Sequence, residues 1–265
     1  GVYFSIQALR MYHPEVIDHI EIIIVDNNPD GPHGKCIRNL AAQNRNIKYV
    51  PFKEYQSTAI RNLIFENASA PYVLSMDCHV LFESGSIKEL IEYYERNPET
   101  KDLLQGPMVY DNLKTISSHF YPVWRAHMYG IWATDDRAKD PNGEPFEIPM
   151  QGLGVFSARK DNWLGFNSAF RGFGGEEGYI HEKYRKSGAK TLCLPFLRWV
   201  HRFQRPNGVK YPLTLENKVR NYFIGCVELG LSVEPIYEHF LEGAKIQRNF
   251  LDTLYEEATR LVGEN

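Results

Sequence analysis

The chain has 265 residues, with 30 Lys and Arg against 33 Asp and Glu, a formal net charge of −3 and 43% hydrophobic residues. This composition is typical of a globular protein and excludes disorder as the whole structure. No apolar run approaches the roughly 20 residues that a membrane-spanning helix needs, and the first residues lack the basic start and apolar core of a secretory signal. The four cysteines form no CxxC pair, so we predict a reduced, cytoplasmic protein with no transmembrane segment.

Apolar runs alternate with helical segments along the first third of the chain. EIIIVDN at 21–27 predicts a strand that is buried on both faces. It is followed in order by helix-like GKCIRNLAAQ, strand-like IKYVPF, helix-like STAIRNLIFENAS and strand-like PYVLSMD. Strands that alternate with helices indicate parallel β-α-β units, so we expect a Rossmann-like α/β core. Ligands of such sheets bind beyond the carboxyl ends of the strands, where Asp26 and the triplet Asp77-Cys78-His79 each end an apolar run.

The pattern is less regular after the helix predicted at SGSIKELIEYYERNP. Strands are predicted at DLLQGPMVYDN, EIPMQGLGVFSAR and KTLCLPFLRWVHRF, and a helix at EEGYIHEKYRKSG. An aromatic stretch at 118–132 precedes a loop, RAKDPNGEP, that is rich in turn-forming residues. From about Leu213 onward the apolar spacing is helical throughout, which predicts a helical C-terminal extension.

Asp77 and His79 are the sharpest local signal. Alternate residues of a strand point to the same side, so this carboxylate and this imidazole are expected to face one point. That pair suits a divalent cation such as Mn²⁺, with a diphosphate oxygen and water at the open positions. A capping Asp beside a surface His is the alternative explanation.

Two later segments carry further polar groups. In RGFGGEEGY at 171–179, three glycines precede two adjacent acids at the start of a helix, which is compatible with a binding site or with ordinary helix capping. His201 in LRWVHRFQRP follows an apolar strand and is either a ligand or a structural histidine.

The order and spacing of these three signals resemble the GT-A class of nucleotide-sugar glycosyltransferases, especially family 2 and the polypeptide N-acetylgalactosaminyltransferases. Family 2 chains carry a strand ending in VDN, an ARN-like triplet on a helix and an Asp-rich metal motif; the corresponding segments here are IIIVDN, AIRN at 59–62 and LSMDCH. The N-acetylgalactosaminyltransferases share a DxH metal motif, a GGE segment and a late VxH-like sequence, which FGGEE and WVHRF resemble. The resemblance covers about residues 20–205 and implies a Rossmann-like mixed sheet flanked by helices.

The resemblance also implies roles for individual residues on the donor side. Asp26 is similar to the acid that contacts the uracil or ribose, and Arg61 to a basic residue near the nucleotide. An exposed helix Arg is an equally good explanation for Arg61. Asp77, His79 and His201 are implied to hold the metal, Mn²⁺ by preference with Mg²⁺ as the alternative.

On the acceptor side, the segment MQGLGVF at 150–156 resembles a Gly-containing strand that lines the sugar site. The resemblance therefore implies sugar contacts for Gln151 and Gly152. Glu176 and Glu177 correspond to the family's acidic residue near the acceptor and the transferred sugar, with Glu176 preferred because it aligns with the Glu of GGE.

The resemblance predicts a GT-A catalytic domain over 1–212, divided into a nucleotide-binding part at about 1–100 and an acceptor part at about 101–212. A helical extension over 213–265 is expected to pack on it. Family 2 chains normally open with a strand such as SVVIPTYN, whereas GVYFSIQALRMY is expected to be the helix after that strand. We therefore expect about 6–15 residues, one strand and a turn, upstream of Gly1.

Residues 198–220 are unusually basic and contain one acid, Glu216. Such a segment can close as a lid over a diphosphate and exclude water, or it can be a solvated basic face. Its six basic residues are Arg198, Arg202, Arg205, Lys210, Lys218 and Arg220.

The leading hypothesis is a metal-dependent glycosyltransferase that moves a sugar from a nucleotide sugar, preferably a UDP-sugar, to a hydroxyl acceptor. One variant is a phage-type DNA glucosyltransferase acting on hydroxymethylated bases, although the overall negative charge disfavours a DNA partner. A nucleotidyltransferase is an alternative of another class, and a binding module that keeps the fold without the chemistry is a third. The sequence does not distinguish inverting from retaining transfer.

Overall fold

The computed structural model describes residues 1–203 and 213–264. The helices are α1 (Val2–Tyr12), α2 (Gly34–Ala42), α3 (Asn62–Asn67), α4 (Ser86–Arg96), α5 (Glu176–Lys186), α6 (Leu215–Leu229), α7 (Glu234–Glu238) and α8 (Arg248–Gly263). The strands are β1 (Ile22–Asp26), β2 (Ile47–Pro51), β3 (Tyr72–Met76), β4 (Val80–Phe82), β5 (Leu103–Gln105), β6 (Met108–Val109), β7 (Ile116–Ser117), β8 (His119–Arg125), β9 (Met128–Ala133), β10 (Phe146–Glu147), β11 (Val155–Arg159), β12 (Thr191–Cys193) and β13 (Trp199–His201). Within the described ranges no helix is both long and apolar enough to cross a membrane.

The strands form a mixed α/β architecture, which confirms the predicted fold class. β1 and β2 pair in parallel. The largest sheet has the order β10-β12-β5-β11-β3, and a four-stranded sheet has the order β4-β13-β6-β7. β8 and β9 form an antiparallel hairpin of their own. Helices that the sequence predicts at both ends of the chain, including the one at the N-terminus, are present as α1 and α6–α8.

The predicted β-α-β alternation is confirmed for β1, α2 and β2, but β3 does not extend that parallel sheet. β3 pairs antiparallel with β11, and no pairing among the described residues joins β3 to β1. The expected burial of β1 on both faces was wrong for most of the strand, because Ile24 is buried whereas Ile22, Ile23 and Val25 are half-buried. The reason is that two strands form only a narrow sheet, which neighbouring elements cover incompletely. One face packs on α1 and α2, and Ile23 contacts the main core.

Two of the predicted strands are each interrupted in the middle. The first part of each belongs to one sheet and the second part to the other. β5 and β6 are separated by Gly106 and Pro107, and β12 and β13 by residues 194–198. β5 pairs in parallel with β12 in one sheet, while β6 pairs in parallel with β13 in the other. The crossing is tight, since a Cβ at Gly106 would lie 1.8 Å from the carbonyl oxygen of Leu197. This break directs β13 toward β4, which positions one of the predicted metal ligands.

The C-terminal helices share the largest hydrophobic core with the rest of the chain. Tyr179 of α5, Phe223 of α6 and Leu254 of α8 all belong to one buried cluster. α6 begins at Leu215, where the Thr214 hydroxyl accepts a hydrogen bond from the Asn217 N–H at 3.2 Å. The division of the chain at 212/213 stays a prediction, because the calls on 204–212 fall outside the described residues.

Candidate active site

Strand register brings Asp77, His79 and His201 to one point. Asp77 directly follows β3, and its N–H donates to the Gly154 carbonyl at 2.9 Å. β13 runs antiparallel to β4 with His201 opposite Val80, so His201 lies beside the turn that carries His79. His79 Nε2 is 3.0 Å from His201 Nε2 and 3.8 Å from Asp77 Oδ2. One possible ligand atom from each side chain lies within 4.8 Å of the others.

The three side chains fit a divalent cation. Arg61 donates to Asp77 Oδ1 at 2.8 Å, which leaves Oδ2 on the side of His79. The side chains of Asp77 and His79 are 28% and 25% exposed, so a ligand can reach them. A carboxylate with two imidazoles suits Mn²⁺ or a similar transition metal better than Mg²⁺, which prefers oxygen ligands and retains its waters.

The two polar residues of the AIRN segment have different contacts. Arg61 contacts the candidate site, and Asn62 contacts the surrounding structure. Arg61 ends a short 3₁₀ helix, Thr58–Arg61, and donates to the Thr58 hydroxyl at 2.6 Å as well as to Asp77. Asn62 turns the other way and accepts hydrogen bonds from the Trp163 indole and the Phe166 N–H at 3.1 and 2.9 Å. Arg61 is therefore held at the candidate site, and is not a solvated arginine on an exposed helix face.

Asp26 ends β1 and is almost buried, at 8% exposure. Its Oδ1 accepts from the Asn28 N–H at 3.0 Å, and its Oδ2 accepts from the Tyr49 hydroxyl at 2.8 Å. Burial, with Asp26 as a second cause, raises the pKa of Tyr49. Both carboxylate oxygens are thus oriented by the chain itself. No sequence pattern indicated the role of Tyr49, which lies within a strand-like run.

Hydrogen bonds hold the GGEE segment, residues 174–177, in place at the start of α5. Gly174 and Gly175 have φ angles of +113° and +93°, which side chains rarely adopt. Glu176 Oε2 accepts from the Gly174 N–H at 2.6 Å. Asn221 of α6, which is buried, donates to the carbonyls of Arg171 and Gly174 at 2.8 and 3.0 Å and accepts from the Arg171 N–H at 3.1 Å. One helix side chain therefore fixes the loop that presents both acids.

The two acids are buried close to positive charge. Glu176 and Glu177 are 2% and 5% exposed, and burial raises the pKa of both carboxyls. The charge of Glu176 raises the pKa of Glu177 further, so that it stands well above its usual range. The Arg61 guanidinium and the Lys218 ammonium oppose these increases. Because Arg61 also pairs with Asp77, it connects the acids to the predicted metal ligands.

The expectation that 150–156 forms a strand was wrong for 150–154, and the sugar contacts of Gln151 and Gly152 stay a prediction. β11 begins at Val155, and Gln151 and Gly152 lie in the core before it. The Gln151 amide donates to the Gly106 carbonyl at 2.8 Å, and the Gly152 carbonyl accepts from Gln105 Nε2 at 3.0 Å. These polar groups therefore hold the strand crossing together. Gly152 is also needed for packing, since a Cβ there would lie 3.0 Å from the Trp132 ring.

The six basic residues of 198–220, for which the sequence leaves a closing lid and a solvated basic face as alternatives, do not all lie in one loop. Arg198 donates to the carbonyls of residues 138 and 139, and Lys218 and Arg220 belong to α6. The expectation of a closing segment over 198–220 was wrong for these three, because the helix that begins at Leu215 fixes the last two. The other members are Arg202, which is exposed, and Arg205 and Lys210, which lie outside the described residues.

Sequence reasoning missed two residues of α6 that contact the GGEE segment. Lys218 packs so closely on this loop that a Cβ at Gly174 would lie 2.5 Å from Lys218 Cγ. Burial lowers the pKa of the Lys218 ammonium, and the neighbouring acids oppose that change. Asn221 was also missed, because a polar residue in a helical pattern gives no sign of what it contacts. The spacing of Lys218 and Asn221, three residues apart on one helix face, was the available signal.

Comparison with known proteins agrees with this geometry. The sequence model described as glycosyl transferase family 2 matches residues 6–163. A solved structure of GalNAc-T7 with UDP, GalNAc and Mn²⁺ is similar over 98% of this chain and 51% of that chain, with 15% identity and a TM-score of 0.68. S. aureus TarS 1-349 is similar over 97% of this chain and 67% of that chain, with 12% identity and a TM-score of 0.50.

This chain spans about half the length of the GalNAc-T7 structure that it resembles. The comparison with curated proteins found no match. The family match covers more than half of the chain, and the structural likeness extends over nearly all of it. The chain therefore belongs to glycosyl transferase family 2 and has the GT-A fold.

Proposed function

We propose that this protein transfers a sugar from a UDP-sugar to a hydroxyl acceptor with the help of a divalent cation. The observation that carries the proposal is the convergence of Asp77, His79 and His201 beside Arg61 in a family 2 fold. The likeness to GalNAc-T7, whose structure contains UDP, GalNAc and Mn²⁺, supports the choice of donor and metal.

Transfer breaks the bond between the sugar and the diphosphate, so negative charge grows on the diphosphate. A cation held by Asp77, His79 and His201 supplies positive charge to that leaving group. Arg61, fixed by Thr58 and Asp77, adds a second positive charge from the protein. We assign the contact with the nucleoside to Asp26, whose carboxylate is oriented at the end of β1.

We assign the role of base or orienting acid to Glu176 and the role of its protonated neighbour to Glu177. The Gly174 N–H, Arg61 and Lys218 all favour the charged form of Glu176. Burial and the charge of Glu176 raise the pKa of Glu177 well above its usual range, so Glu177 is the acid that more readily holds a proton. If transfer inverts the sugar, Glu176 removes the proton from the acceptor hydroxyl. If transfer retains it, Glu176 orients the sugar and the acceptor.

Nucleotidyl transfer is the weaker candidate, because the family match favours glycosyl transfer. The two reactions leave different products from the same test. The purified protein is incubated with Mn²⁺ and a panel of UDP-sugars, and separately with UTP and a sugar phosphate, while UDP and pyrophosphate are measured.

We expect release of UDP from one UDP-sugar, a loss of that release in excess chelator, and recovery when Mn²⁺ is restored. Pyrophosphate release from UTP would contradict glycosyl transfer. UDP release that is unchanged by the chelator would contradict the role of the cation.

A further inference from the structure

The outer side of α1 is apolar although it meets solvent. Phe4 is 74% exposed and Met11 is 69% exposed, and Tyr3 and Tyr12 are each more than half exposed. The spacing i, i+7 and i+8 places Phe4, Met11 and Tyr12 on one side of the helix. The Tyr3 ring meets the Phe4 ring edge-on, with centroids 5.4 Å apart. Single exposed apolar residues are normal, but a contiguous group on one helix indicates an interaction surface.

The apolar surface continues from α1 onto β4. Leu81 of β4 is exposed, and it lines a small cleft together with Ala8 and Tyr12 of α1. Its neighbours in the strand, Val80 and Phe82, are buried. Two elements therefore contribute to one surface, which we call the apolar face. Its members are Tyr3, Phe4, Met11, Tyr12 and Leu81.

The opposite side of α1 already holds the helix in place. Ile6 belongs to the buried cluster under α2, and Leu9 belongs to the cluster around β4. The Ser5 hydroxyl donates to the Cys78 carbonyl at 2.7 Å. Because α1 is packed without the apolar face, substitutions of its exposed side chains should leave the fold intact.

Basic side chains accompany the apolar face. Neither α1 nor α2 contains an acidic residue, whereas α1 contains Arg10 and α2 contains Lys35 and Arg38. The two helices pack on the same face of the β1–β2 unit, and Arg10 donates to Asn44 Oδ1 at 2.5 Å, just after α2 ends. Lys35 and the next residue after Asn44, Arg45, are exposed. The outward surface of this helix pair is therefore both apolar and positively charged.

This combination selects the kind of partner. A two-fold contact between two copies of the surface brings Arg10, Lys35 and Arg45 of one copy toward those of the other, and like charges repel. Anionic lipid headgroups attract the same charges, while apolar side chains enter the boundary between headgroups and acyl chains. Tyrosine is enriched at that boundary. The nearest acids along the chain, Glu15 and Asp18, lie beyond the C-terminal end of α1.

We propose that α1 and α2 form a docking surface for an anionic membrane, with α1 lying along the plane of the lipid surface. The apolar face enters the interface, and the basic residues contact headgroup phosphates. Ser5 contacts Cys78, which lies between Asp77 and His79. Docking would therefore hold these two candidate metal ligands roughly one helix diameter, about 10–12 Å, from the lipid. This inference does not depend on the proposed sugar transfer.

The first test measures vesicle binding in the absence of donor and metal. Co-sedimentation is measured with vesicles of equimolar phosphatidylcholine and phosphatidylglycerol and with vesicles of phosphatidylcholine alone. The apolar variant combines Phe4→Ser with Met11→Ser. Its control combines Leu113→Ser with Leu213→Ser, which are also more than half exposed and lie outside the apolar face.

We expect the wild-type chain to bind the anionic vesicles about tenfold or more tightly than the neutral ones, with weaker binding at higher salt. The apolar variant should lose about tenfold or more in affinity, because two large side chains no longer leave water. The control should bind like the wild-type chain. Absence of binding to the anionic vesicles would overturn the inference, as would an affinity that the apolar variant leaves unchanged.

The second test changes charge without changing the apolar face. One variant combines Lys35→Glu with Arg45→Glu, and its control combines Lys101→Glu with Lys186→Glu, which gives the same net charge from exposed positions on other elements. We expect about a tenfold or larger loss of affinity for the anionic vesicles in the first variant only. An equal loss in both variants would show that net charge alone governs binding, and would overturn the assigned surface.

Two other partners would give different results in the same proteins. If the wild-type chain is a dimer, the apolar variant is a monomer and neither binds vesicles, the face joins two copies of the chain. If a single-stranded oligonucleotide binds more tightly than the anionic vesicles and the charge variant loses it, the surface binds nucleic acid. Either result would overturn the proposal. All variants should keep the urea midpoint of the wild-type chain, since every substituted side chain is exposed.

Discussion

The two halves of the candidate site differ in how deeply they are buried and in what holds them in place. The cation corner, which comprises Asp77, His79 and His201, is about a quarter exposed at its first two members and is held by strand register. The carboxylate pair, Glu176 and Glu177, is almost completely buried and is held by a loop pinned to α6. The corner is partly open to solvent, whereas desolvation opposes a charge on the buried pair.

Because of this difference, substitutions in the two halves should affect activity and stability differently. A change in the cation corner should remove function and leave folding nearly unaffected, because partly exposed ion pairs contribute little to stability. A change in the carboxylate pair or its support should alter both. Substitutions in each half, compared by kinetics and by unfolding, test that separation.

The largest effect is expected for Asp77→Asn, which removes the only carboxylate of the cation corner. We expect sugar transfer to fall by about 10³-fold, because stabilisation of the diphosphate charge is lost. The free energy of unfolding should change by less than about 0.5 kcal/mol, as for other changes at partly exposed positions. Kinetic assays and urea unfolding measure the two quantities, with Asp111→Asn in an exposed loop as the control. Loss of stability comparable to the loss of transfer would contradict the separation.

Glu176→Gln should reduce transfer by about 10²-fold, the lower end of what a general base contributes. The affinity for UDP and Mn²⁺ should stay within about threefold of wild type, because the acid does not belong to the cation corner. Glu177→Gln is the matched control, and it should reduce transfer less. If both variants transfer sugar normally, the pair has only a capping role and the base lies elsewhere.

Asn221→Ala should destabilise the fold by about 2–3 kcal/mol, since the Arg171 N–H and two carbonyls lose a buried partner. Transfer should also fall, because the GGEE segment is released. Asn217→Ala, one turn earlier on the same helix, should change stability by less than about 0.5 kcal/mol. Urea unfolding of the wild-type chain, Asn221→Ala and Asn217→Ala tests this prediction. Equal stabilities would contradict a GGEE segment that Asn221 holds in place.

The smallest effect concerns Glu177 and pH. Because burial raises the pKa of Glu177, the folded chain binds this proton more tightly than the unfolded chain. The resulting stabilisation is present below the ordinary glutamate pKa and is lost as pH rises through the raised value. Glu177→Gln removes this titration, so it should be more stable than wild type by about 1 kcal/mol at slightly alkaline pH and not at acid pH.

Unfolding free energies at about pH 4 and about pH 8 test this sign. A stability difference between Glu177→Gln and wild type that does not depend on pH would show that the carboxyl does not titrate in this range.

The local sequence pattern made two of the three residues of the cation corner predictable. Asp77 and His79 follow an apolar strand at alternate positions, and that local pattern is sufficient to bring them together. His201 is 122 residues away from His79 along the chain. Its placement depends on the pairing of β13 with β4, which single-sequence patterns do not contain, and only the family resemblance indicated it.

The errors have a common physical origin in tertiary contacts. The apolar run around Gln151 has a strand-like pattern, but the crossing at Gly106 draws its amide into the core. The basic residues of 198–220 form one cluster in the sequence, but two of them, Lys218 and Arg220, belong to a capped helix that begins at Leu215. Composition and period describe local preference, and a buried partner elsewhere in the chain overrides both.

A crystal structure with UDP and Mn²⁺, in which anomalous scattering locates the metal, tests the candidate cation site most directly. We expect one ion within roughly 2.0–2.4 Å of Asp77 Oδ2, His79 Nε2 and His201 Nε2, with diphosphate oxygens completing its ligands. An ion bound elsewhere in the presence of UDP, or a His201 ring turned away from it, would contradict the proposed cation site.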